Sequence, residues 1–242
     1  MSNKRVWLLP VLLVVALLII AAMLRLAIWQ LDRADEKQSI LDRRLSLSLN
    51  TPIDLAVLET LDAKQRFLPV FARGRFLVSE TLYLDNQVFN QQVGYQVITP
   101  FKIQSSDKLI LVARGWVAAG SSRDSFPSIE TTRDSIEIVG RLNLPAGPPP
   151  LWDEKYAVNE GARWQYLDMP AVDVRYREDL HSLVLELHPE YEGDKGLRRA
   201  WDQIDDRWVA KHKAYAFQWF SMAAAFFVAC LVLIIRRRKI RK

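Results

Sequence analysis

Cysteine is almost absent: Cys230 is the single thiol in 242 residues. One thiol forms no intramolecular disulfide, no paired-Cys redox motif and no thiolate cage for zinc or Cu(I), so none of those chemistries fits, copper delivery included. Histidine is nearly as scarce, with three. His181 and His188 are seven apart, an odd separation that sends them to opposite faces of one strand; they read as surface residues and hold no free metal ion. There is no glycine-rich phosphate loop, no nucleophile elbow and no nucleophile paired with a base. The chain therefore reads as something other than an enzyme.

Apolar sequence is what the chain has most of, concentrated at its two ends. Uncharged runs cover residues 6–24 and 214–235. Each is long enough, at about 1.5 Å per residue, to cross a hydrocarbon core of about 30 Å as a helix. The net charge of +5 has the same explanation. Lys4 and Arg5 precede the first run, while Arg236, Arg237, Arg238, Lys239, Arg241 and Lys242 follow the second. Without them the chain is slightly acidic. Basic residues just outside two apolar runs mark two cytoplasmic ends, whereas a nucleic-acid binder needs a basic face on its folded domain.

The sequence thus predicts a cytoplasmic tail over residues 1–5, a first transmembrane helix over 6–28, a periplasmic β-rich domain over 29–211, a second transmembrane helix over 212–235 and a basic cytoplasmic tail over 236–242. The fold class is a membrane-anchored α+β chain in a bacterial inner membrane, with a mainly antiparallel external domain between the two helices. The first apolar run exceeds that of a cleaved signal peptide, and Arg25, Trp29 and Arg33 follow it as interfacial anchors, so it reads as an uncleaved signal anchor.

Within the external segment, residues 30–47 carry leucines and alanines among alternating charges, which suits a helix continuing out of the membrane. Thr51-Pro52 predicts a break and then a short helix over 53–62. Runs rich in Val, Ile, Phe, Tyr and Thr predict strands over 69–77, 82–84, 93–103, 109–117, 135–142 and 182–187. Ser105-Ser106-Asp107 turns the third of these into the fourth as an antiparallel hairpin. The prolines of 145–150 mark a rigid connection, and Trp152, Tyr156, Trp164, Tyr166 and Met169 alternate with polar groups beyond it.

His212 stands at the mouth of the second apolar run. At 100° per residue it shares a helical face with Tyr215, Ala216, Trp219 and Ala223, which offers one ligand-capable nitrogen, two flat aromatics and two small residues that leave a groove. Imidazole ligates haem iron, and Lys211, Lys213 or Arg25 would meet the propionates. The same residues also suit an aromatic belt, lysine anchors and alanine-mediated helix packing. Arg114, in the apolar strand Val112-Ala113-Arg114-Gly115-Trp116-Val117, has two readings as well: a contact to an anion or partner, or a structural role as an internal ion pair or at a strand edge.

Five segments carry a resemblance. They are Trp29-Gln30 with Arg33 and Lys37, then Phe71-Ala72-Arg73-Gly74-Arg75-Phe76, then Leu84-Asp85-Asn86 followed by Gly94-Tyr95-Gln96-Val97-Ile98-Thr99-Pro100-Phe101. Leu111-Val112-Ala113-Arg114-Gly115-Trp116-Val117 and His212 with Tyr215-Ala216 and Trp219-Phe220 complete the set. In this order, and between two apolar runs, they resemble the Surfeit-locus family of cytochrome c oxidase assembly proteins. The resemblance implies a haem a ligand at His212, with Tyr215 and Trp219 shaping its pocket. It also implies cytochrome c oxidase subunit I and the haem a synthesis enzymes as partners, besides membrane lipid. Arg25, Arg114, Trp116, Lys211 and Lys213 are the candidates for partner or propionate contacts. A second axial ligand would come from another copy in a homo-oligomer, from water or from the oxidase. The competing reading is a scaffold that grips an oxidase subunit and never ligates haem.

Overall fold

The computed structural model describes residues 4–106, 108–120, 125–132, 134–148, 161–176, 180–199, 201 and 207–240, with side chains from residue 10 to residue 239. Trp152 and Tyr156 lie outside the described residues. The chain divides into two units, residues 1–43 with 204–242 and residues 44–203.

The first unit is built from two long helices, α1 (Lys4–Ser48) and α3 (Arg207–Ile240). Both are long and apolar enough to cross a membrane. α1 runs without a break from the apolar run into the charged segment, as the alternating charges predict. Covered positions recur along it at alternating spacings of three and four: Ile20, Met23, Ala27, Gln30, Ala34, Lys37 and Leu41. α3 repeats the pattern at Val209, His212, Ala216, Trp219, Ala223, Phe226 and Cys230. That period is the seam of a two-helix coiled coil. Alanines occupy its most covered places, which lets two backbones approach closely.

The second unit is β-rich. Its strands are β1 (Ile53–Asp54), β2 (Pro69–Phe76), β3 (Leu82–Phe89), β4 (Gln92–Ile103), β5 (Leu109–Ala118), β6 (Ile136–Asn143), β7 (Arg163–Trp164) and β8 (Leu180–Leu187), with α2 (Met169–Tyr176) before β8. They form one mixed, mostly antiparallel sheet in the order β1-β2-β6-β8-β5-β4-β3-β7, and a further β2–β4 pairing closes it. The closure makes a five-stranded ring, β2-β6-β8-β5-β4. It is possible because β4 is twelve residues long: Val97 and Ile98 pair with β3, whereas residues 101–103 pair with β2.

Alternate residues of all five ring strands fill the interior. Val70, Ala72, Phe76, Phe101, Ile103, Ile110, Val112, Ile138, Leu142, Leu183, Leu185 and Leu187 form one buried cluster there. The opposite face of β4, β5 and β8 is covered too, by Trp164, Leu167 and the α2 residue Val172 against Leu82, Leu84, Ile98, Leu111, Ala113 and Val184. Burial on both faces explains why β5 reads as a continuous apolar run rather than an alternating one.

Three local expectations are corrected. No α-helix follows Thr51-Pro52; the segment is β1 and two single 3-10 turns, because Leu55 has to enter the barrel core and is fully buried. Asp54 still caps its turn, accepting from the Ala56 amide at 2.9 Å. His181 is a buried residue, not a surface one. β3 continues beyond residue 84 to Phe89, through a bulge at Asp85-Asn86 where Asn86 takes a φ of 57°.

Candidate functional site

In the helical unit, His212 lies in the α3 seam with Val209 and Ala216 beside it, and it is partly buried. Its Nδ1 is 2.7 Å from Oε1 of Gln30 on α1. Among the described residues, Nε2 has no partner. Ala27 and Ala34, one turn to either side of Gln30, are completely covered. Glutamine was not singled out as a site residue by the sequence, although Gln30 stands in the first of the five resembling segments. A seam position holding a polar residue between alanines is the signal that would have found it.

The face predicted around His212 divides. His212, Ala216, Trp219 and Ala223 belong to the seam, whereas Tyr215 is turned out and 43% exposed. The two alanines are covered, so they leave no open groove. Lys211 lies over the Trp208 ring at 5.4 Å. Lys213 and Arg25 are exposed. His212 is thus flanked by cations and aromatics on its own helix, and its imidazole is held from α1.

In the barrel unit, Arg114 is the largest fully buried side chain among the described residues. It continues the inward-facing series of Ile110 and Val112, with its guanidinium 4.8 Å from the centre of the Phe76 ring. Nε donates to Asp194 Oδ2 at 3.1 Å, Nη1 to Thr99 Oγ1 at 3.3 Å, and Nη2 to Asp194 Oδ1 and Thr131 Oγ1. Arg199 joins from the far side, donating to Asp194 Oδ2 at 2.9 Å and to the Arg114 carbonyl at 2.6 Å. Burial pulls the Arg199 guanidinium below its usual range while Asp194 opposes that shift. Burial, and then the Asp194 charge, pushes the Tyr191 phenol up. Of its two readings, Arg114 is the internal ion pair, with no surface left for a partner or a propionate.

Trp116 is partly buried and donates from Nε1 to the Gln87 carbonyl at 2.8 Å. Its backbone forms a two-bond bridge with Arg198, at 2.7 and 2.8 Å. Just before Trp116, β5 carries one extra residue, Arg114: Val97 pairs with Gly115 but Ile98 with Ala113. Gly115 takes a φ of +150° there, and a side chain on it would meet Leu197 Cβ at 2.9 Å. The bulge falls at Arg114, and the 197–199 segment lies against β5 beside it.

No group of three or more His, Cys, Asp or Glu side chains that could hold a metal ion occurs among the described residues. Comparison with known proteins gives a match to the SURF1 family over residues 17–224. The chain belongs to the SURF1 family. A SURF1-like protein of Rickettsia bellii is 26% identical over 218 residues, covering 84% of this chain and 82% of that protein. The SURF1-like proteins of Rickettsia felis and Rickettsia conorii are 33% and 34% identical over 130 and 139 residues, about half of each chain. SURF1 membership implies a role in cytochrome oxidase assembly, and the family is one of assembly factors rather than a known enzyme family. The five segments of this SURF1 chain are spread over both units: Trp29-Gln30 and His212 in the helical one, the other three in the barrel.

Proposed function

We propose that this SURF1-family chain assists cytochrome c oxidase assembly by holding haem a at His212 for insertion or retention in the catalytic subunit. Its apolar helices would lie in a bacterial inner membrane, with both termini cytoplasmic and the barrel periplasmic. The observation that carries the reading is the state of His212: an imidazole at the polar end of an apolar helix, engaged at Nδ1 and, among the described residues, unpartnered at Nε2. Nε2 would ligate the iron, the outward-turned Tyr215 would lie against the macrocycle, and Lys211, Lys213 or Arg25 would meet its propionates, while Trp219 stays in the seam. Haem, when bound, supplies the redox chemistry of the finished oxidase; the role of this chain is to bind and release it.

The test is co-expression with the haem a synthesis enzymes, purification in detergent, and comparison of extracted haem a between wild type and His212→Ala. Haem a that accompanies the wild type and is lost from the variant supports the reading. If neither carries haem a while oxidase subunits still co-purify, the external domain acts as a scaffold instead.

A further inference from the structure

A 2.7 Å contact between Gln30 Oε1 and His212 Nδ1 has a direction. An amide oxygen accepts and does not donate, so the proton of the bond sits on the imidazole Nδ1. In a neutral ring the other nitrogen then carries the lone pair. From this geometry we infer that Gln30 is a positioning residue, fixing His212 as its Nδ1–H tautomer so that Nε2 is presented as a ligand. The inference rests on the haem reading for its purpose, but the tautomer is a property of the chain itself.

Three features make this more than a chance polar contact. Gln30 occupies a covered seam position, and the flanking Ala27 and Ala34 are fully buried, so the approach that brings its amide within reach is built into the packing. Cationic partners are absent from the bond itself: Lys211 is engaged over Trp208, and Lys213 is turned out. The acceptor is also a neutral amide rather than a carboxylate. A carboxylate partner raises the basicity of a ligating imidazole and tightens its hold on a metal. A carbonyl oxygen orients the ring with less of that push, which suits a protein that has to give its ligand up.

The amide could be required only to set the register of the two helices, as buried polar seam residues do in coiled coils. The experiment separates that role from positioning. Full-length chain with 15N-labelled histidine is purified in detergent without haem, and the tautomer of His212 is read by 15N NMR in wild type and Gln30→Leu. The Nδ1–H form should dominate in the wild type and give way to a mixture in the variant. Predominance of the Nε2–H form in the wild type would mean that the amide donates instead, and would overturn the inference.

The second arm loads wild type, Gln30→Leu and Gln30→Glu with haem a and reads the ferrous iron–histidine stretching band by resonance Raman, together with the rate of haem loss. Gln30→Glu should raise the band and slow loss, while Gln30→Leu should lower the band and weaken binding by about 10- to 100-fold. A register role alone would leave the band of the bound fraction unchanged in both variants, and that result would sink the positioning role. If His212→Ala keeps its haem a while the tautomer result holds, the haem reading fails and the Gln30–His212 assignment stands.

Discussion

The indole of Trp116 occupies the space that a side chain at Gly94 would need: a Cβ there would stand 2.5 Å from Cε2 and Cζ2 of the ring and 2.2 Å from the Val117 carbonyl oxygen. Two segments that are 22 positions apart in sequence are therefore one contact in the fold. The glycine of the β4 motif exists to receive the tryptophan of the β5 motif, and the Trp116 Nε1 proton then reaches the Gln87 carbonyl just past the β3 bulge.

Gly94→Ala is expected to push Trp116 out of its seat. Part of the obstruction is backbone, so relaxation is limited, and the cost should be about 1–3 kcal/mol. A lower thermal midpoint by circular dichroism in detergent, with a red-shifted tryptophan emission, is the expected result. Trp116→Ala in the Gly94→Ala background should recover less than the full loss, because the Val117 carbonyl stays in place.

Arg114→Leu removes one of the two guanidiniums that neutralise Asp194. Breaking a buried pair from one side costs about 3–5 kcal/mol. The midpoint of urea unfolding of the full chain should fall accordingly. Arg114→Leu combined with Asp194→Asn should be more destabilised than Arg114→Leu alone, since buried Arg199 then loses its carboxylate partner as well. If the single substitution left stability unchanged, Arg114 would not be the internal ion pair described above.

Gly115→Ala tests the bulge. A φ of +150° is strained for any residue with a side chain, and Leu197 Cβ lies 2.9 Å from the added carbon. The expected penalty is about 1–3 kcal/mol. It should be accompanied by faster amide hydrogen exchange at Trp116 and Arg198, whose mutual backbone bonds depend on that bulge.

Tyr176 gives the domain an alkaline limit. Burial raises its phenol from an ordinary 10.0 to about 12, and its hydroxyl donates to the Glu80 carbonyl at 2.9 Å. The folded chain therefore holds this proton more tightly than the unfolded chain does. The resulting stability is fully present below pH 10 and is lost as pH rises through about 12. The thermal midpoint should fall across that window, and Tyr176→Phe should flatten part of the fall. Tyr83 and Tyr191, also raised by burial, should add to the fall in the same direction.

The strands were legible because branched and aromatic residues cluster in them, and the predicted limits of β2, β4, β5, β6 and β8 lie within one or two residues of the observed ones. The ring was not, because its closure depends on β4 changing partners between Ile98 and Phe101, a non-local event that no local pattern records. α2 was hidden by the aromatic alternation before it, although Asp168 and Pro170 supply a helix start, with the Val172 amide bonded to the Asp168 carbonyl at 2.9 Å. His212 was found from its place at the end of an apolar run. Gln30 was not, since an uncharged polar residue next to a tryptophan at a membrane boundary has no signature until a second helix is laid beside it.

Closing the ring also decides how this domain can be recognised. Each of the five strands has a neighbouring strand of the same molecule on both sides, so an incoming peptide cannot lengthen the ring by adding at an end of it. Strand addition is confined to its margins, the two-residue β1 and β7 and the outer edge of β3 beyond Leu84, which β7 does not pair with. A protein that docks on the ring has to be chosen by the side chains it displays, which makes selectivity there a matter of surface composition that substitution can retune without disturbing the barrel.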